Sequence, residues 1–414
     1  MSPRRPVRVR NRLPREVDAF GPRARAAVEG FIGWLDRFGE TSHDPHDFWA
    51  VPVGRRAKAL YYRSPLLGTV ATAPFVFLDA FVPSSRALVR PRARYPMADA
   101  HFALGFFAWA EATGEPRWLD RGAGFLDALQ RSRSPGFSDY SWGYPFDWQT
   151  AAGLFETGRP LMTTIPYAYE AFEAGHRATG NGEYLEVMRS IASFAFESIP
   201  SVEVSPGANA AAYTPFDQRR VVNASAYRGY LLATAARRFA QDEWLAAGRA
   251  NLAFVIESQR KDGSWLYALD GSDAFVDNLH TCLVLKNLFK AWEETDDGDL
   301  LAAVRSGYAY YRSRLLDEGG RPVPFAEQQR LVLIRRDLYD YAEGINLALL
   351  LRDVEPDADD VLGKLLESLL GEWVVPDGHF VTRKLVVGTN RVPYHRWAQA
   401  QTFHALARYC GLED

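Results

Sequence analysis

The chain has 414 residues, 47% of them hydrophobic, and a formal net charge of -3 at pH 7. That length allows two or three domains, and the apolar fraction supplies a large core. The near-neutral balance gives no support to bulk binding of nucleic acid or of an acidic membrane surface. Aromatic content is 13%, with 11 Trp and 19 Tyr, and flat aromatic faces suit sugar rings or apolar ligands.

In chain order, residues 1–22 read as a basic tail. Met1 to Arg12 is not followed by an apolar stretch of the secretory type. A helix is expected at Arg23 to Phe38. Residues 42–95, rich in Pro, Gly and Arg, show no strong helical period and read as a segment wrapping across one end of the fold. Its most apolar part, Pro65 to Phe81, is broken by Gly68, Pro74 and Asp79 and is too short to span a bilayer. From Ala98 onward helices come in pairs: 98–111 with 117–130, 163–177 with 183–197, 223–239 with 243–260, 277–293 with 300–316, and 339–351 with 358–373. A last helix, Tyr394 to Tyr409, pairs with the N-terminal one.

A recurring phrase marks the turns within these pairs. It reads Ala112-Thr113-Gly114-Glu115-Pro116-Arg117-Trp118-Leu119, then Ala178-Thr179-Gly180-Asn181-Gly182-Glu183-Tyr184-Leu185. It returns more weakly around Trp244-Leu245 and Leu300-Leu301. The repeats lie roughly 55–65 residues apart, as helical hairpins do. The first helix of each pair is apolar nearly all round and therefore buried; the second carries a narrower stripe, such as Leu362, Leu365, Leu366 and Leu369. Six inner and six outer helices describe an all-α (α/α)6 toroid over residues 23–414, one continuous core closed by the two chain ends. Cys282 and Cys410 fall in apolar helical runs and read as buried free thiols, so a cytoplasmic location is the default.

Turns within a pair are short, and connections from an outer helix to the next inner helix are long. All long loops therefore gather on one face, with the inner-helix N-termini pointing to it, where developing negative charge is favoured. The candidate site lies there. Its densest loop is Ser141-Trp142-Gly143-Tyr144-Pro145-Phe146-Asp147-Trp148-Gln149: Trp142, Tyr144 and Trp148 offer stacking surfaces, while Asp147 and Gln149 can read hydroxyls. A second cluster joins Trp265 and Tyr267 to Asp277, Asn278 and His280. A third places His395, Arg396 and Trp397 at the start of the last inner helix. Asn223, Tyr339, Asp340 and Glu343 stand at other inner-helix starts; Asp277 can also serve as a helix cap. No His-Glu-x-x-His, glycine-rich phosphate loop or serine elbow occurs, and no cofactor or metal is expected.

On the motif Trp142-Gly143-Tyr144-Pro145-Phe146-Asp147-Trp148-Gln149, the run Pro166-Tyr167-Ala168-Tyr169-Glu170-Ala171-Phe172, the Thr179-Gly180 turn, and Trp265 with Asp277-Asn278-Leu279-His280-Thr281, the chain resembles the VpsJ-like proteins of bacterial and archaeal polysaccharide biosynthesis clusters over residues 40 to 410. The resemblance implies a toroid of the six-hairpin glycosidase and lyase type and a sugar-polymer setting. It carries no established reaction and no catalytic residue.

The expected function is a carbohydrate-active enzyme that takes a glycan substrate. A hydrolase needs paired carboxylates, for which Asp147 with Asp277 is the first choice and Glu343 the reserve. A uronate lyase or epimerase instead moves a proton with Tyr144, His280 or His395 and neutralises the carboxylate with Asn278 or Arg396. A non-catalytic glycan-binding protein in polysaccharide assembly is the alternative, and an isoprenoid-handling toroid the third. The oligomeric state stays open.

Overall fold

The structure is a computed structural model describing residues 14–271, 274–328 and 332–412. Its helices run in the order α1 (Arg15–Asp18), α2 (Gly21–Phe38), α3 (Asp47–Ala50), α4 (Pro52–Arg63), α5 (Pro65–Phe81), α6 (Pro96–Thr113), α7 (Arg117–Arg131), α8 (Ile165–Thr179), α9 (Glu183–Glu197), α10 (Val222–Phe239), α11 (Asp242–Glu257), α12 (Asn278–Thr295), α13 (Gly298–Arg314), α14 (Leu338–Leu351), α15 (Ala358–Glu372) and α16 (Ala400–Cys410). α6, α8, α10, α12, α14 and α16 form the inner ring. α7, α9, α11, α13 and α15 pack outside it, and α2 fills the sixth outer place against α16. The fold is the (α/α)6 toroid.

Inner helices are buried on almost every side: in α10 every residue from Val222 to Ala236 is buried. α16 closes the ring against α6, where a Cβ on Gly105 would lie 2.4 Å from the Phe403 ring. The recurring phrase has a conformational cause. Each of the first four inner helices ends on a left-handed residue: Gly114 (φ 68°), Gly180 (φ 72°), Ala240 (φ 55°) and Asp296 (φ 56°). Glycine adopts this cap without penalty and other residues do so at a cost, so the phrase is plain in the first two repeats and blurred in the next two. The residues that follow anchor the outer helix: Tyr184, Trp244 and Leu300 are buried, and Trp118 stacks on Phe106.

Short antiparallel ribbons stiffen the long connections: 148–150 with 153–155, 201–205 with 208–211, 276–277 with 325–327, and 334–337 with 383–385 and 389–390. They stand at the end of the ring where the inner helices begin.

Three expectations change. Of the 1–22 tail, residues 1–13 lie outside the described residues, but the rest docks on the ring: Val17 is buried and its carbonyl accepts a hydrogen bond from the Tyr409 hydroxyl. The 42–95 segment is helical. Ser42 and Ala93 exchange backbone hydrogen bonds at 2.9 Å, so the segment leaves the ring and returns at one point, carrying α3, α4 and α5. Periodicity misses α5 because a helix apolar on all sides has no polar face to mark its period; Pro52 and Pro65 sit in first turns, where proline fits. Finally, the last inner helix begins at Ala400. Before it, His395–Gln399 form a wide turn with non-helical dihedrals at Trp397 and Ala398, which turns Arg396 toward Asp44 and the Trp397 indole toward Asp337.

Candidate functional site

The predicted residues at the long-loop end divide into two groups. The first centres on Arg396. Its guanidinium donates to both oxygens of Asp44 at 2.7 and 2.8 Å and lies 4.4 Å from the Tyr144 ring centroid. Trp397 meets Tyr339 edge-to-face at 5.0 Å and donates its indole N–H to Asp337 at 3.2 Å. Asp337 also holds Arg383 at 2.7 Å and caps α14 by accepting from the Tyr339 N–H. Burial raises the Asp44 carboxyl, but the Arg396 charge and hydrogen bonds from His46 and Arg396 outweigh it and hold it far below the carboxylate range.

The second group lies where α10 and α12 begin. Asp277 caps α12 through the His280 N–H and also binds the His280 imidazole at 2.7 Å. Tyr267 meets that ring edge-on at 4.6 Å. Asn223, Trp265, Tyr267, Asp277 and His280 line a cleft of about 10 Å³, room for about one water.

Between the groups stands Asp340, one turn into α14 from Asp337. Its carboxyl is raised well above the ordinary value by burial first, then by the negative charges of Asp337 and Asp277. Its raised proton affinity sets it apart as the candidate acid, next to two other carboxylates, one in an ion pair with Arg383.

Several predicted roles do not fit the placements. Trp142 is fully buried, with its indole donating to the Leu129 carbonyl at 2.8 Å, so neither face is free for a sugar. Trp265 is buried in the same manner against the Val255 carbonyl. Asn278 spends its amide on the Leu315 carbonyl. His395 points away from the loops, packed against Trp34, Phe38 and Phe102, and burial lowers it to about 3. Asp147 binds Thr157 and pairs with Arg55; it fastens the excursion to its loop. Trp148 packs against His46 and Tyr144, and Gln149 donates to the Thr150 carbonyl. The convergence of Trp142, Asp147, Asp277, His280 and His395 on one spot is not what the fold delivers.

Glu343 belongs to a different constellation. Each inner helix sends one polar side chain to a buried layer within the ring: His101 from α6, Tyr167 from α8, Tyr227 from α10, Lys286 from α12, Glu343 from α14 and His404 from α16. Lys286 pairs with Glu343; Tyr227 donates to Tyr167 at 2.8 Å; the His101 and His404 Nδ1 atoms approach to 3.2 Å. Burial first lowers both imidazoles well below the ordinary value, helped at His101 by Lys286 and Lys290 and at His404 by His101, Arg408 and the same lysines. The missed signal is a charged residue at three- or four-residue spacing inside an apolar helix: Glu170 and Glu173, Lys286 and Lys290, His404 and Arg408.

A cavity of about 850 Å³ opens at the opposite end of the ring from the long loops, among the C-terminal halves of the inner helices, with Glu170, Lys290, His404 and Arg408 in its wall. Its charged lining is unlike the dry aromatic cavity an isoprenoid-handling toroid requires. Among the described residues no group of three or more His, Cys, Asp or Glu side chains is placed to hold a metal ion, and no helix is long and apolar enough to cross a membrane.

At the sequence level no protein-family model and no curated protein matches the chain. Solved structures do resemble it. The GH76 alpha-mannanase of Bacteroides thetaiotaomicron superposes with a TM-score of 0.59 at 11% identity, covering 89% of this chain and 98% of its own. The cellobiose 2-epimerase of Spirochaeta thermophila gives 0.58 at 12%, covering 77% and 85%. A heparin-specific unsaturated glucuronyl hydrolase gives 0.56 at 15%, covering 77% and 87%. These neighbours are carbohydrate-active enzymes built on the six-hairpin toroid, and at such identities the likeness is one of fold.

Proposed function

We propose that the chain is a carbohydrate-active enzyme that cleaves a glycan by acid–base chemistry at the long-loop end of the ring, in a polysaccharide-biosynthesis setting of the VpsJ-like kind. The observation that carries this is Asp340, a carboxyl buried beside Asp337 and Asp277, where burial first and then those two charges raise its proton affinity. Glycoside cleavage requires one acid to protonate the leaving oxygen and one carboxylate to activate water or attack the sugar. Asp340 takes the first role and Asp277 the second, with His280 orienting Asp277. Tyr144 and Trp397, both half-buried, form the neighbouring wall that takes the sugar, held in place by the buried Arg396 and Tyr339 behind them. Fold neighbours that act on glycans support the class and leave the substrate to experiment. The two buried thiols suit a reducing compartment, and we place the enzyme in the cytoplasm.

A second reading is favoured by the buried layer. A neutral imidazole pair, His101 and His404, beside Tyr167 and Lys286, is suited to moving a proton on a sugar carbon, as uronate elimination or epimerisation needs. A panel of neutral and uronic oligosaccharides separates the readings. New reducing ends lost in Asp340→Asn and Asp277→Asn support hydrolysis. An unsaturated uronate product, or deuterium uptake from solvent lost in His404→Gln, supports the second. Glycan binding without turnover of any substrate in the panel overturns both in favour of a non-catalytic binding protein.

A further inference from the structure

The excursion between Ser42 and Ala93 carries a surface the ring does not use. The only charged residue of α5 is Asp79, which pairs with Arg86. Leu66, Val70, Ala73, Phe77 and Phe81 follow helical spacing along one side and all are exposed, Leu66 by 82% and Val70 by 74%. The two threonines of α5 donate back into the helix, Thr69 to the Pro65 carbonyl and Thr72 to the Gly68 carbonyl, both at 2.7 Å, so neither hydroxyl depends on water for a partner. Beside α5, α4 presents Val53, Arg56, Leu60 and Arg63 as a second exposed stripe. The two helices meet backbone to backbone: a Cβ on Gly68 would lie 2.0 Å from the Tyr61 Cα.

Monomeric soluble proteins rarely leave so large an apolar patch in water. The charge around it names the occupant. Of the seven Lys and Arg in residues 52–92, Arg86 is buried on Asp79, Arg55 pairs with Asp147, and Arg90 and Arg92 donate to backbone carbonyls, while Arg56 and Arg63 stand exposed along α4 beside the apolar stripe. A basic stripe flanking an apolar one matches an anionic lipid surface, where hydrocarbon takes the apolar side chains and headgroups take the guanidinium groups. A second copy of the chain fits less well, because a self-complementary contact through this face brings like charges on α4 together. At ~1.5 Å rise per residue α5 is ~25 Å long, short of a hydrocarbon core of ~30 Å, so it lies in the leaflet without crossing it.

We infer that the α4–α5 hairpin is a monotopic docking device for an anionic membrane surface, with α5 immersed at the acyl boundary and Arg56 and Arg63 among the headgroups. The Arg55–Asp147 and Arg396–Asp44 pairs fasten the hairpin to the long-loop end, so docking brings that end of the ring to the bilayer. The test is flotation of the full chain with vesicles of phosphatidylcholine alone or with about a third phosphatidylglycerol. The expected result is flotation with the anionic vesicles, weakened at least tenfold by Leu66→Glu with Phe77→Glu, and weakened by Arg56→Glu with Arg63→Glu and by high salt. These positions are exposed, so melting temperatures stay at the parent value. Absence of flotation overturns the inference, as does flotation insensitive to both variant pairs. A dimer seen by light scattering that Leu66→Glu with Phe77→Glu dissociates, without vesicle binding, overturns it in favour of self-association.

Discussion

Arg396 and Asp44, 352 residues apart, form a two-point hydrogen-bonded ion pair with both side chains buried. The pair ties the base of the excursion to the wide turn before α16, and the Arg396 guanidinium lies over the Tyr144 ring of the densest loop. One side chain thus joins three segments that no local pattern connects.

Removing one partner of this pair leaves a buried charge alone. Arg396→Ala is expected to cost about 3–5 kcal/mol of stability, whereas replacing both partners by apolar residues costs much less. Denaturant unfolding of the two single variants and the double variant measures this. Because the Asp44 carboxyl is lower in the folded chain than in the unfolded one, its contribution is complete above about pH 4, the unfolded value, and is lost as pH falls below it.

Asp277 has a structural and a chemical role that one substitution separates. Asn keeps the cap that Ala loses. Asp277→Asn is expected to leave stability within about 0.5 kcal/mol, while Asp277→Ala loses about 1 kcal/mol or more. If the carboxylate does chemistry, both variants lose glycan turnover by about 100-fold or more. A stable Asn variant with parental turnover sinks the role assigned to Asp277.

Asp340 carries the opposite sign to Asp44. Its folded carboxyl is raised, so the unfolded chain ionises first as pH climbs above about 4, and the folded state loses stability from that point upward. Asn keeps the shape and cannot ionise. Asp340→Asn is expected to match the parent near pH 4 and to melt at a higher temperature near pH 8, while losing glycan turnover. Thermal melts at the two pH values check the first part.

Gly143 sits where the densest loop touches the segment that leads into α8. A Cβ there would lie 2.0 Å from the Arg159 carbonyl oxygen, next to the Gly143–Pro160 bridge. Gly143→Ala is expected to cost about 1–3 kcal/mol, the range of overpacking, and to loosen the Tyr144–Arg396 contact. Denaturant unfolding measures the cost.

The toroid was legible because its signal is local. Apolar runs, an aromatic-Leu pair after each turn and a glycine able to take the left-handed cap at residues 114 and 180 are properties of short stretches, and the physics that reads them acts over a few residues. The outer-helix range 183–197 came out to the residue for that reason. The site was legible only in part. Asp277 and His280 meet because three residues on a helix start hold them together, and Tyr339, Arg396 and Trp397 are neighbours through adjacent sequence and a shared rim. Trp142 reads as a sugar platform from sequence because composition cannot say which side of a loop faces inward.

The sequence by itself determined the ring: its helix count, the alternation of inner and outer helices, and the gathering of long loops at one end, since each follows from period and turn length. Only the tertiary structure decided what the polar residues do. The raised proton affinity of Asp340 depends on its burial, and then on Asp337 and Asp277 closing around it. Whether His101 and His404 meet depends on the first and last inner helices becoming neighbours. Whether α5 faces solvent depends on a ring that is already complete without it. Burial and charge pairing are sums over residues far apart in the chain, and the sum is taken only when the ring closes.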